Sequence, residues 1–273
     1  MEAHSKIGAS SMERWSVCPG SVVLSEGVPR TNSVYSELGT AAHAFGEWIL
    51  ENKLPLCFEQ DKYFTYEDHG VSKVAEITEE MYEAVQVYVG YVRDILAQNP
   101  DAELYLEEKF NLEAIHLGLF GTGDCVLWIP RTKTLHVIDY KHGKGKAVTV
   151  TGNKQLKYYA VGAVFKLTHA RPETITTTIV QPRCKHKDGA IRSEQLSIVE
   201  LLEWAVTLRD DAVKVQEATD NYKIDNLAEW TQKYLEEGAH CWWCPAKQCG
   251  KCPIINAKKQ ADARSVFGEI KSV

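Results

Sequence analysis

The chain contains no run of about 18 consecutive apolar residues, the length a membrane-spanning helix requires, and its opening stretch, Met1 to Ala9, lacks the apolar segment that directs secretion. The expected compartment is therefore the cytoplasm. No internal repeat and no low-complexity linker divides the chain. Positive charge is not in excess either: 31 Lys and Arg against 37 Asp and Glu leave a formal net charge of -6. A protein that coats nucleic acid through counterion release needs the opposite balance, so any contact with a polyanion has to be concentrated in one local groove. There is no flavin or nicotinamide signature, which argues against a redox enzyme built on those cofactors.

The residues that are present are those of an ordinary globular protein: 273 in all, 44% apolar and 25% charged, enough to bury a sizeable core. Eight cysteines in a chain of this length with no export signal point to metal binding rather than disulfides. Four of them, Cys241, Cys244, Cys249 and Cys252, fall within twelve residues. Cys57, Cys125 and Cys184 lie in apolar or strand-like surroundings and read as buried free thiols.

Hydrophobic spacing orders the rest. Ser10 to Ser25 reads as a short helix and turn broken at Cys18-Pro19-Gly20. Leu38, Ala41, Ala42, Phe45, Trp48 and Ile49 follow a helical period over Ser36 to Asn52, which places His43, Glu47 and Glu51 on one stripe. A second helix is predicted from Thr78, as cap, to Gln98. Leu104–Phe110, Cys125–Ile129 and Thr134–Tyr140 read as strands, the last two joined by a turn at Pro130–Lys133. A helix over Asn153–Leu167, a strand over Thr174–Gln181 and a helix from Ile198 to about Ala218, capped by Ser197, complete an α/β pattern: a mixed central sheet flanked by helices, with a Cys-rich C-terminal extension.

Chemistry collects on the strand hairpin. Asp124 and Asp139 are brought to the same end by the turn, and Lys141, two residues beyond Asp139, shares its face of the strand. Two close carboxylates stay ionised cheaply only when a cation joins them, and hard oxygen donors suit Mg2+ or Mn2+. A lysine beside them can hold an attacking water or neutralise charge developing on phosphate. Asp-x-Lys alone is a common chance pattern, and a solvated strand end is the plainer reading of it.

The wider context resembles a known family. Gly121-Thr122-Gly123-Asp124, then Val137-Ile138-Asp139-Tyr140-Lys141, then Gln155-x-x-x-Tyr159 in the next helix, is similar to the signature of RecB-like nucleases of the PD-(D/E)XK superfamily. The resemblance is strongest to phage- and prophage-encoded RecB-like exonucleases, related to the CRISPR-associated RecB-like nucleases and the AddB nuclease domain. Gly8-Ala9-Ser10-Ser11-Met12-Glu13-Arg14-Trp15, Cys18-Pro19-Gly20-Ser21 and Gly39-Thr40-Ala41-Ala42-His43 extend it, so that it runs in order from about residue 7 to 255.

That resemblance implies a restriction-endonuclease-like fold in a single domain over 1–273, its core at about 36–220, with the Cys18 segment and residues 238–256 as a metal-cluster appendage. It implies Mg2+ or Mn2+ bound by His43, Asp124, Asp139 and Tyr140, with Lys141 as the motif lysine and Gln155 and Tyr159 contacting DNA. A further catalytic carboxylate comes from the preceding strand, where Glu107 matches the family pattern better than Glu108, although Leu106, Glu108 and Phe110 alternate in a way that favours Glu108. On its own, His43 reads as a structural residue of a helix.

In several members of the family one N-terminal and three C-terminal cysteines hold a 4Fe–4S cluster. Cys18, Cys241 and Cys244 match, and Cys252 is the fourth ligand because it precedes Pro253, with Cys249 as an alternative. Thiolates suit zinc equally, and structural Zn2+ on Cys241, Cys244, Cys249 and Cys252 competes with that arrangement.

Basic residues surround the motif. Lys144 and Lys146, with Lys154 and Lys157, are expected along the DNA, whereas Arg183, Lys185, His186 and Lys187 equally form a solvated loop. Trp15, Trp242 and Trp243 are candidates for stacking unpaired bases, the last two also for packing around the cluster. The expected function is a Mg2+- or Mn2+-dependent exonuclease acting on DNA ends or single strands in phage recombination, replication or repair, with a homo-oligomer or a recombination protein as partner. The alternative is a non-catalytic DNA-binding or assembly module that keeps the fold.

Overall fold

Why the chain alternates between helix and strand follows from its periodicities, and a computed structural model describes the result for residues 5–29, 33–55, 62–68 and 70–270. Two short helical turns, α1 (Met12–Trp15) and α2 (Ser21–Leu24), precede the long helix α3 (Val34–Glu51). A hairpin of β1 (Tyr63–Asp68) and β2 (Val71–Glu76) leads into α4 (Glu79–Gln98). Then follow β3 (Glu103–Asn111), β4 (Phe120–Ile129), β5 (Thr134–Tyr140), α5 (Lys154–Lys166), β6 (Thr174–Val180), β7 (Ile191–Ser197) and α6 (Ile198–Asp220). The chain closes through α7 (Leu227–Tyr234), the short α8 (Pro245–Gln248) and α9 (Pro253–Ile270).

Five strands make the central sheet in the order β3-β4-β5-β6-β7. Only β5 and β6 run parallel, because α5 crosses between them, so the sheet is mixed as the pattern predicted. Alternate residues of β4 and β5 feed two cores. Val126, Trp128, Leu135 and Val137 pack with α5 and α6, while Cys125, Leu127, Ile138 and Tyr140 pack with α3 and α4. A third, smaller cluster joins Cys18 and Leu24 to Trp230, Tyr234, Leu235 and Cys244, which brings the N-terminal segment against the Cys-rich region. Among the described residues no helix is long and apolar enough to cross a membrane.

The predicted caps are the observed ones. Thr78 Oγ1 accepts from Met81 N–H at 3.2 Å, and Ser197 and Glu200 close a reciprocal capping box. The Ser10–Ser25 segment is broken at Cys18-Pro19-Gly20 as expected, with a helical turn on either side. The β1–β2 hairpin and β7 were not anticipated. Polar or charged residues fill half of β1 and β2 and most of β7, and all three bury little, so they lack the apolar runs by which strands are read.

Two close approaches set the helices on the sheet. A Cβ on Gly162 of α5 would lie 2.5 Å from Phe110 Cγ, so only glycine lets α5 settle onto β3. A Cβ on Gly46 of α3 would come within 3.1 Å of the Tyr88 ring on α4. That glycine sits one turn from His43 and fixes the depth at which α3 carries it.

Candidate active site

The β3–β4 ladder is in register on both sides of a gap. Leu106 pairs with Cys125 and Glu108 with Gly123, yet Glu107 and Asp124 between them do not pair. Glu107 takes a left-handed backbone, φ 43°, which costs a non-glycine residue roughly 1–2 kcal/mol and is typical of functional sites. The side-chain alternation inverts there. Leu104 and Leu106 face the α3/α4 core, whereas Phe110 lies in the α5/α6 core. In β4, Cys125 belongs to the α3/α4 core, while a Cβ on Gly123 would strike Phe110 at 2.9 Å. Groups from both faces of the sheet therefore meet at the gap.

From the α3 side comes His43, whose Nδ1 lies 3.3 Å from Asp124 Oδ2. One donor atom each of His43, Glu107 and Asp124 falls within 4.8 Å of the others. Of the two adjacent glutamates it is Glu107 that enters, while Glu108 pairs with Lys166 of α5. From the α5 side come Asp139 and Lys141. Lys141 Nζ donates to Asp139 Oδ1 and to Gln155 Oε1, each at 3.1 Å. Gln155 Nε2 in turn donates to Tyr159 OH at 3.0 Å. The Tyr140 N–H donates to Asp124 Oδ2 at 2.8 Å, tying the end of β5 to the gap.

Burial dominates the electrostatics. It pushes the Asp139 carboxyl up to about 6 against the pull of Lys141, and it raises Asp124 in the same way. Glu107 is raised by burial and then by the negative charge of Asp124 and Glu47. Burial lowers His43 to about 4, so its imidazole is neutral at pH 7 with a lone pair to give. Burial alone would depress Lys141, but Asp139 and Asp124 outweigh it and keep the ammonium charged.

Glu47, one turn beyond His43, completes the acidic set. Burial, Glu51 and Asp124 push it up to about 6. Its place on the His43 stripe was legible in the sequence, its part in the cluster was not. Asp139 Oδ2 is buried and accepts no hydrogen bond, although Lys141 Nζ stands 2.9 Å away. A neutral imidazole, several close carboxylates and one ammonium fit a hard divalent cation, which relieves the repulsion that raises the carboxyl groups.

The profile of DUF2800, proteins of unknown function, matches residues 4–270. The chain belongs to the DUF2800 family. Two solved structures are distantly similar. A protein from Eubacterium rectale whose exonuclease name is provisional is 10% identical, with 85% of this chain and 89% of that chain covered and a TM-score of 0.42. SSO0001 is 15% identical over 93% of this chain and 88% of that one, with a TM-score of 0.33.

Other residues of this DUF2800 chain have partners that their sequence reading does not show. The Tyr140 ring is buried between Tyr88 and His43 and bonds His142 through its hydroxyl, so it packs against the site while its backbone N–H reaches Asp124. Lys144 pairs with Glu80 at 3.2 Å, Lys154 donates to Ser16, and Lys157 lies near Glu200 rather than the gap. Arg183 also pairs with Glu80, and its loop is held by these contacts. Trp15 is fully buried with its indole N–H on Gly8 O, which leaves it no face for a base. Trp242 and Trp243 are 72% and 74% exposed and do not pack around cysteines.

The thiol of Cys18 is buried, and burial raises it most, with further contributions from Cys244 and Cys241 close by. The Glu236 N–H donates to its sulfur at 3.5 Å. Cys249 is exposed and Cys252 half-buried. Cys125 is buried as expected, Cys184 is only half-buried because its loop lies at the surface, and Cys57 lies outside the described residues.

Proposed function

We propose that this DUF2800 chain is a Mg2+- or Mn2+-dependent deoxyribonuclease of the RecB-like branch of the PD-(D/E)XK superfamily, hydrolysing phosphodiester bonds at DNA ends or in single strands. The observation that carries the reading is the convergence of His43, Glu107, Asp124 and Asp139 beside the Lys141 ammonium at the broken ladder. The role in phage recombination, replication or repair, within a host cytoplasm, follows from the sequence resemblance.

The chain's own residues divide the work. A divalent cation held by the three carboxylates and His43 would supply an activated water and charge neutralisation at phosphate. Lys141, aligned by Asp139 and Gln155, presents a fixed N–H to a phosphate oxygen as charge grows on it. Tyr159 holds the Gln155 amide in the orientation that accepts from Lys141. His43 stays neutral and keeps its lone pair available.

Residues 1–273 act in this reading as one nuclease domain whose chain ends are pinned by a 4Fe–4S cluster on Cys18, Cys241, Cys244 and Cys252. Support comes from the shared small core that seats Cys18 beside Cys244. Structural zinc on the local cysteines is the competing arrangement.

End-labelled single- and double-stranded DNA incubated with Mg2+, Mn2+ or EDTA tests the function. Shortened products in either metal and none in EDTA are expected. DNA left intact in both metals would remove the reading.

A further inference from the structure

Glu107 lines two clefts, one shared with His43, Glu47 and Asp124 and the other with Tyr159. The second is a half-open cavity of about 1400 Å3, lined also by His240, Trp243 and Pro245 of the Cys-rich region. That volume exceeds the roughly 300–1,000 Å3 of a small-molecule site. Lys109 and Lys146, both exposed, line the same cavity.

Trp243 is the unexplained feature. A side chain 74% exposed gains little from burial, and its neighbour Trp242 touches it only edge-on, with ring centroids 6.4 Å apart at 80°. Trp243 lines the cavity and Trp242 does not. An indole face, two ammonium groups and a passage leading to Glu107 match the chemistry of an unpaired strand, whose bases stack on aromatics while its phosphates follow cations.

We propose that this cavity seats the end of a single-stranded nucleic acid, with one base stacked on Trp243, the backbone along Lys109 and Lys146, and the terminal phosphodiester delivered to Glu107. The Cys-rich region is then a wall of the substrate path as well as a staple for the chain ends. The proposal rests on the nuclease reading for what happens at Glu107, but the binding step stands apart from cleavage.

The test is fluorescence anisotropy with a labelled oligothymidylate in EDTA, where no cutting occurs. Trp243→Ala should weaken binding on the order of tenfold, and Trp243→Phe should recover most of the loss. Trp242→Ala, equally exposed but outside the cavity, should bind like wild type. Lys109→Glu with Lys146→Glu should weaken binding and flatten its salt dependence. A blunt duplex should compete poorly, and an oligouridylate arm shows whether the sugar matters. Equal effects of the two tryptophan variants, no effect of either, or tight binding of a blunt duplex would overturn the proposal while leaving metal-dependent cleavage intact. Wild-type protein that neither binds single strands nor cuts single- or double-stranded DNA in Mg2+ or Mn2+ would defeat both readings.

Discussion

Glu107 and Asp124 stand opposite each other across the gap in the β3–β4 ladder, unpaired through the backbone and brought together through their carboxyl groups. The arrangement stores both backbone strain and charge repulsion. Glu107→Gly relieves both, and after the entropy cost of glycine the backbone part amounts to a gain of about 1 kcal/mol. Glu107→Gln relieves the repulsion alone. Urea unfolding in EDTA at pH 8 should rank Gly above Gln above wild type, while both variants lose cleavage. A wild type more stable than both would show that the left-handed turn is not strained.

The carboxyl groups of the gap should cost metal-free protein stability as pH rises, against an opposite contribution from His43, lowered to about 4 and so gaining stability up to about pH 6.5. Asp139 is raised to about 6 from an unfolded value near 3.8, and Asp124 and Glu107 are raised in the same direction. The folded state therefore holds more protons between those values. The contribution of the two aspartates is fully present below about pH 4 and is lost as pH climbs through about 6, while that of Glu107, raised further, is lost at higher pH still. Mn2+ should restore it, so the metal-induced rise in Tm is expected to be small at pH 5 and large at pH 8. Thermal melts with and without EDTA check this, and an equal metal shift at both pH values would contradict it.

Lys141→Ala should lower single-turnover cleavage by about 10²–10³-fold, the usual loss for one fixed donor at a developing anion. Mn2+ affinity should be kept, since the ammonium repels the cation rather than holding it. A variant that lost metal binding instead would make Lys141 a structural counter-ion only.

Much of this was legible in the sequence. Residue spacing placed His43 on a helix, Asp139 and Lys141 on one strand face, and the caps at Thr78 and Ser197. What was hidden was the inversion at Glu107, because alternation assumes an unbroken strand and so favours Glu108 in error. The Lys144–Glu80 pair was equally unreadable, since Glu80 comes from a helix 64 residues away. The depth of Trp15 and the exposure of Trp243 depend on how the chain ends pack, which local pattern does not encode.

The cysteines make a separate prediction. Anaerobically prepared protein should be brown with about four irons per chain, and Cys18→Ser should lose colour and thermal stability together, because Cys18 joins segments more than two hundred residues apart. Cys249→Ser, at an exposed site, should be nearly silent. Colourless protein with one zinc and an unaffected Cys18→Ser would assign the local cysteines instead.

The central claim is that the acidic gap between β3, β4 and β5 cuts DNA through a bound divalent cation. The direct measurement is cleavage of an end-labelled single strand in Mn2+ by wild type and by Asp124→Asn, a variant that removes charge from the gap and leaves the fold at least as stable without metal. Wild type should shorten the strand, and Asp124→Asn should be slower by at least about a hundredfold. Wild-type cutting that survives EDTA, or an Asp124→Asn protein that cuts at the wild-type rate, would contradict the account.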